Sequence, residues 1–391
     1  SKISKAESSA CITPFNVKLD YQSQDTAIIS WTDFTSPGDF VEYQYTFHPA
    51  DENVDYEDLS TSESKSATLT SLESGRSYYF YVRTVCDDDV VTNFTSGFLF
   101  HTAIDNSQAC DAYLIIPDNN CQAPNPYLIN VHGEGLHLGE DVFIKSVNLT
   151  IEHEWPADLE LEIISPSGVA IPLFADFGIG TSNVGDINAP CVSPLSLDMN
   201  ACERISAAVP LVGSYKPVGD LELLYDSSTP NGEWQLQICD DASGQIGVIR
   251  YAGIEFVDMS CSGPDDLYFV DINDTSLDII IPSASCDSLE LSYKEVENGS
   301  ISTFYIPCNQ DTITIADLLP STTYTLDFTP ICSGSNFSVS CPKTFETSCS
   351  SVELFENFDN AASCENGCDN LCVVSPFWQN LGPAFWRTES E

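Results

Sequence analysis

The 391-residue sequence predicts an all-β chain of tandem β-sandwich modules, rich in disulfides. Three observations carry that expectation. Helix-period patterns are almost absent, while short alternating apolar runs bounded by Gly, Pro, Asn, Asp and Ser recur about every ten residues. The length exceeds one ordinary domain and suits two to four. Sixteen cysteines are spread along the chain rather than gathered in C-x-x-C couples beside histidines, a usage that belongs to disulfides in an oxidising compartment.

Composition narrows the function. With 42% hydrophobic, 11% aromatic and 18% charged residues, the chain has the makings of folded protein rather than disorder. The charge is lopsided: 13 Lys+Arg against 59 Asp+Glu give a formal net of −46. Such a surface repels nucleic acid and anionic lipid, and it attracts divalent cations, basic partners and neutral polymers. No apolar run reaches the length of a membrane span, and Ser1–Ala10 is a polar arm without a signal-peptide core. The expected setting is extracellular or cell-surface, with a signal peptide removed.

In chain order, the clearest strands are Thr26–Trp31, Tyr78–Val85, Ser146–His153, Leu159–Ile164, Trp234–Cys239, Leu277–Pro282 and Tyr324–Ile331. One stretch repeats. Leu72-Glu-Ser-Gly-Arg-Ser-Tyr78 aligns with Leu318-Leu-Pro-Ser-Thr-Thr-Tyr324, each followed at equal distance by a cysteine (Cys86, Cys332) and then by a closing Phe-x-Thr (Phe100–Thr102, Phe345–Thr347). The pattern resembles the tyrosine corner of fibronectin type III domains. The resemblance implies two Ig-like modules, residues 11–104 and 262–348, with Trp31 in the core of the first and Ile281 at the matching place in the second.

Between them, residues 105–261 read differently. His153 ahead of Asp158-Leu159, the Ser165-Pro-Ser-Gly168 turn, Asn231-Gly-Glu-Trp234 and the Asp240/Asp241…Gly244…Gly247 loop resemble the P domain (Homo B) of proprotein convertases and bacterial secreted proteases. That resemblance implies a jelly-roll sandwich. It also implies a structural Ca²⁺ held by loop carboxylates, the candidates being Asp158, Asp176, Asp186, Asp240 and Asp241, since hard cations want several converging oxygens. After Cys349 the acidic-aromatic opening, Trp378-x-Asn380 and Trp386 are similar to the start of a MAM-like module, incomplete within 349–391. Residues 1–10 stand apart as an N-terminal arm. Tandem modules of these kinds resemble secreted and surface proteins of the Bacteroidota. Asp25-Thr26-Ala27, Asp287-Ser288-Leu289 and Asp311-Thr312-Ile313 are similar to an O-glycosylation motif of that phylum, and Asn93, Asn148, Asn273, Asn298 and Asn336 head N-x-[ST] sequons.

Spacing suggests disulfides Cys11–Cys86, Cys261–Cys332, Cys191–Cys202, Cys110–Cys121 and Cys286–Cys308, although sequence does not fix connectivity. Cys364, Cys368 and Cys372 match no zinc-knuckle spacing and read as further disulfide cysteines. Catalytic signatures are missing from the sequence: no H-E-x-x-H, no G-x-S-x-G, no Gly-rich phosphate loop. His132 and His137, with Glu134 or Glu140, share a Gly-rich segment that reads as a loop before a strand. His153 reads as a packed or hydrogen-bonded strand residue. Trp155 and Tyr127 are candidate contacts for a glycan.

The expected function is therefore non-catalytic: an extracellular multi-module protein for cell-surface adhesion or assembly. Its partners would be an extracellular protein or glycan, or copies of itself. The alternatives are a subunit of an extracellular filament, or the accessory region of a larger secreted protease.

Overall fold

A computed structural model describes residues 11–349 apart from 39, 88–89, 123–125, 176–182, 207–210, 258–262, 265–266, 283, 285, 297–298, 333–341, and beyond them the backbone of 378–382 and 385–388. The chain divides into two compact units, Ser1–Met259 and Ser260–Glu391.

The first unit begins with a sandwich of β1 (Phe15–Gln22), β2 (Thr26–Thr32), β3 (Phe40–Pro49), β4 (Ser60–Ser62), β5 (Ser66–Thr70), β6 (Ser77–Cys86) and β7 (Phe98–His101). One sheet runs β1-β2-β5 and the other β4-β3-β6-β7. Strict alternation in β2 (TAIISWT) and β6 (SYYFYVRTVC) turns Ala27, Ile29 and Trp31 inward to meet Tyr78, Phe80 and Val82. Trp31 is the expected core tryptophan, edge-on to Tyr43 and stacked near Phe80. Cys11–Cys86 staples the start of this sandwich to the end of β6.

A second sandwich follows, with β8 (Ile104–Asp105), β9 (Leu114–Ile116), β10 (Tyr127–Val131), β11 (Phe143–Glu152), β12 (Leu159–Ile164), β13 (Ala170–Ala175), β14 (Leu195–Leu197), β15 (Gly213–Tyr215), β16 (Gly232–Asp240) and β17 (Gly247–Val257). Its sheets run β13-β12-β16-β10-β8 and β15-β14-β11-β17-β9. The inner faces share one core around Trp234, Leu161, Ile163, Leu149 and Ile151. The pairings expected from short spacing are corrected here. Cys110 bonds Cys191, and Cys121 bonds Cys239. Topology overrides proximity in sequence: the loop before β10 lies against the end of β16, where Asn120 N–H donates to Asp240 O at 2.9 Å, so Cys121 meets a residue 118 positions away. Cys202 is also disulfide-bonded, but not to Cys191.

The two sandwiches of this unit are joined by backbone. After β7 the chain continues directly into β8, which adds in parallel to β10 of the second sandwich, pairing Ile104 with Ile129. Ser77 N–H donates to Tyr113 O, Tyr113 N–H to Gly75 O, and Gly75 N–H to Ala103 O, all within 3.0 Å. Gly75 adopts φ +64°, a backbone conformation that favours glycine, at this crossing point.

The second unit holds β18 (Tyr268–Ile272), β19 (Leu277–Ile280), β20 (Ser288–Glu295), β21 (Ser302–Pro307), β22 (Thr312–Ile315), β23 (Thr323–Ile331) and β24 (Lys343–Glu346), in sheets β18-β19-β22 and β21-β20-β23-β24. Ile281 is buried in its core. Cys286–Cys308 forms as spacing suggested. Cys332 is disulfide-bonded, while Cys261 lies outside the described residues. A hairpin of β25 (Trp378–Gly382) and β26 (Phe385–Thr388) follows; the rest of the 350–391 segment, with Cys364, Cys368 and Cys372, also lies outside the described residues, as does the 1–10 arm.

The sequence repeat is reproduced atom by atom. Glu73 N–H donates to the Tyr78 hydroxyl at 2.8 Å, and Leu319 N–H to the Tyr324 hydroxyl at 2.9 Å. Thr102 Oγ1 donates to Glu73 O and Thr347 Oγ1 to Leu319 O, both at 2.6 Å. Tyr78 stacks on Phe100 at 5.5 Å and Tyr324 on Phe345 at 5.4 Å. Each Tyr thus closes its own sandwich through ring packing and one backbone bond. Tyr78→Phe and Tyr324→Phe keep the ring and remove one part-buried hydrogen bond, so each is expected to lower stability by about 1 kcal/mol. Chemical denaturation of the two variants checks this, and because the sites lie in different units the double variant should shift each unit's transition by the amount its single variant does.

Candidate functional site

The carboxylates expected to hold calcium do not form a cage in the described structure. Asp240, at the end of β16, is 1% exposed and committed: its Oδ2 accepts from His153 Nε2 at 3.1 Å and its Oδ1 from Ala242 N–H at 3.0 Å. His153 Nδ1 in turn accepts from Trp155 N–H at 3.1 Å, which places the ring proton on Nε2, facing Asp240. Gly247 is glycine because a Cβ there would lie 2.8 Å from the His153 ring. His153 is therefore the sealed, hydrogen-bonded residue expected, and this pair ties β11 to β16 and β17. Asp158 lies in a 3₁₀ turn (Pro156–Asp158), where its carbonyl accepts from Asp241 N–H. Asp186 sits in a separate loop, its Oδ1 accepting from Asn188 N–H and Nδ2. Asp176 lies outside the described residues.

Among the described residues, the one set of three ligand atoms close enough for a metal is Cys121, Glu160 and Cys239. The two sulfurs there are already bonded to each other, so that set has no thiolate to offer.

The other sequence candidates disperse as well. His132 lies 3.8 Å from Asp105 and His137 lies 3.6 Å from Asp141, both well exposed and in no common cluster. Tyr127 is 1% exposed, its hydroxyl donating to Ile115 O at 2.7 Å, so it is no glycan contact. Trp155 stands at the surface, 46% exposed. Asn148 is buried between Ser146 and Ser196, which removes that sequon from any folded-state glycosylation.

What the structure does assemble is a row of rings on the outer face of the β4-β3-β6-β7 sheet. Period-two alternation in β6 turns Tyr79, Tyr81 and Arg83 away from the core. His48 of β3 stacks on Tyr81 at 5.7 Å and lies 5.9 Å from Tyr79. Tyr56, from the β3–β4 loop, sits edge-on to Tyr81 at 5.9 Å and 5.1 Å from Phe94. The Arg83 guanidinium lies 4.6 Å over Phe94 and is held by Gln44 Oε1 at 2.7 and 3.0 Å. Gly97 leaves room for Tyr81, whose hydroxyl a Cβ would meet at 2.9 Å. Partial burial, then the neighbouring Tyr56 and Tyr79 hydroxyls, push the Tyr81 phenol above its ordinary range. This row has no nucleophile with an oriented base, so it offers flat apolar contact with polar edges and no bond-making machinery. Sequence reading placed the strand but assigned no role to its outward rings; the i, i+2 spacing of Tyr79, Tyr81 and Arg83 held the signal.

A family model described as the fibronectin type III domain matches residues 13–91. Residues 13–91 are a fibronectin type III domain. The chain is similar to a two-domain fibronectin type III segment of chicken tenascin (9% identity over 86% of this chain and all of that one, TM-score 0.20). It is also similar to the fibronectin type III domain of human collagen α-1(XX) (20% identity over 25% of this chain and 94% of that one, TM-score 0.21). No curated protein matches. The fibronectin type III domain here is a scaffold type, compatible with a non-catalytic multi-module protein, and together with the disulfides it is typical of extracellular proteins. Among the described residues no helix is long and apolar enough to cross a membrane.

Proposed function

We propose that this chain is a non-catalytic, extracellular multi-module protein whose work is adhesion to, or assembly with, a partner outside the cell. The observation that carries the reading is the outward ring row on a covalently closed fibronectin type III domain that is itself fused, strand to strand, to the next sandwich. A contact surface on a stiff body binds without first ordering its own side chains, which is where affinity is otherwise lost. The middle sandwich acts in this reading as a P-domain-like spacer, and the disulfides support a secreted setting.

Electron microscopy and sedimentation of the mature protein isolated from its source test it. Ordered polymers indicate assembly. Binding of a non-polymerising protein to cells or glycans, lost in the Tyr56→Ala/Tyr81→Ala double variant, indicates adhesion. Turnover of peptide or glycoside substrates by the pure chain would sink the proposal.

A further inference from the structure

The sheets β4-β3-β6-β7 and β21-β20-β23-β24 hold matching places in the two sandwiches that carry a tyrosine corner, but they end differently. In the first, the edge strand β4 is three residues of Ser and Thr. In the second, the edge strand β21 runs for six residues, Ser302–Pro307, and carries no charge. Its pairing with β20 is regular, from Tyr293 facing Ser302 to Ser288 facing Pro307, with no bulge to bend it away. Alternation buries Ile306 and turns Thr303 and Tyr305 outward in line with Ile301; Tyr305 is 62% exposed and Ile301 67%. The Cys286–Cys308 disulfide clamps the open end of this hairpin, so the edge is held in shape before anything meets it.

An edge strand leaves alternate N–H and C=O groups unpaired, a template for one more strand, and proteins blunt such edges with charge, proline or bulges. The other edge strands of five residues or more in the three sandwiches have one of these or a polar face. β1 and β18 carry charged residues and register shifts. β13 contains Pro172 and a register shift, and β5 exposes Thr68 and Thr70. In β21 the proline is the last residue, and among the described residues no strand covers the open side.

Resting on the assembly reading above, we infer that β21 pairs with β21 of a second copy, antiparallel across a two-fold axis, joining two four-stranded sheets edge to edge. Charge selects that occupant. With 13 basic and 59 acidic side chains, two copies repel over most of their surface. They can meet at an uncharged edge, and the strand just behind it sets Glu290 and Lys294, one of each sign, on the outward face. A basic partner, which the rest of the surface attracts, finds no carboxylate on β21 to bind. Geometry agrees, because an antiparallel pair of identical strands is self-complementary: each copy gives and receives the same backbone bonds. Such a pair closes on itself, so this contact alone yields dimers.

Sedimentation velocity of the full chain over a concentration series, at low and high salt, tests the inference. A dimer is expected, tighter at high salt because screening relieves the repulsion between copies. Thr303→Lys, which sets an ammonium on the open edge, should weaken it by roughly tenfold or more. Thr68→Lys, the same charge change on the exposed edge strand β5, should associate as wild type. Hydrogen exchange on the wild type gives a reading that needs no variant: amides of residues 301–307 should gain protection as monomer becomes dimer. Self-association that Thr303→Lys leaves intact, or dimers without that protection, overturns the β21 contact and leaves the assembly reading standing. A chain monomeric at every concentration overturns the inference and self-assembly together, leaving adhesion to be read from binding to cells or glycans.

Discussion

Acid will loosen the joint between the fibronectin type III domain and the sandwich that follows it, by about 3 kcal/mol between pH 6.5 and 4, through His101. His101 ends β7, is 4% exposed and stacks on Tyr127 of β10 at 4.9 Å. Ser77 Oγ accepts from Ile115 N–H at 2.8 Å, so its own proton points to His101 Nδ1 at 2.7 Å. The imidazole is thereby held neutral with its proton on Nε2, a buried atom without a hydrogen-bond partner. Burial pulls the pKa down to about 4 from an ordinary 6.5. Because the folded value lies below the unfolded one, the unfolded chain takes up a proton first as pH falls. The stability is fully present above about 6.5, is lost progressively on the way to 4, and falls no further through this group below that. Many carboxylates titrate in the same range, so the test is a comparison: denaturation of wild type and His101→Phe at pH 7, 5.5 and 4. The wild type should lose about 3 kcal/mol more than the variant. Parallel curves would mean that His101 does not couple the joint to pH.

That joint was invisible in the sequence, for a definable reason. Tyr127 and His101 are 26 positions apart and sit in modules that sequence reading treats separately; nothing local says that the Ser77 hydroxyl links His101 to the Ile115 N–H of the next sandwich. Local signals did better. Leu159–Ile164 is strand β12 residue for residue, because "LELEII" alternates cleanly and packs one face on the core. The two tyrosine corners were legible because a turn, an aromatic and a closing Phe-x-Thr occur at fixed offsets within thirty residues, and the hydrogen bonds they imply are short-range. Cysteine partners were legible where the strand path is simple, as at Cys11–Cys86 and Cys286–Cys308. They were not legible in the middle sandwich, where crossovers bring Cys121 to Cys239. The role of the acidic residues was the least legible: Asp240 stands in a loop-like acidic run, and folding sets its two oxygens on His153 and a backbone N–H.

Trp234 is where the middle sandwich is most sensitive. It is fully buried, the largest such side chain, on the central strand of the β13-β12-β16-β10-β8 sheet, opposite Ile129 and 6.0 Å from the Phe256 ring. Its Nε1–H donates to Pro230 O at 2.8 Å, closing the Asn231-Gly-Glu turn onto the core. Asn231 extends the same closure, accepting from Glu134 N–H and donating to the Gly135 carbonyl, so the turn also anchors the Gly-rich segment before β11. Trp234→Ala removes the ring and leaves the Pro230 carbonyl without that donor, for an expected loss of about 3–5 kcal/mol. In a unit of this size that corresponds to a melting-temperature drop of roughly 10 °C. Trp234→Phe keeps most of the apolar volume and should cost about 1–3 kcal/mol, separating the hydrogen bond from the packing. Calorimetry of the full chain reads both, because the Ser260–Glu391 unit lacks this residue and its transition should stay where it is. If Trp234→Ala moved both transitions equally, the two units would be unfolding as one.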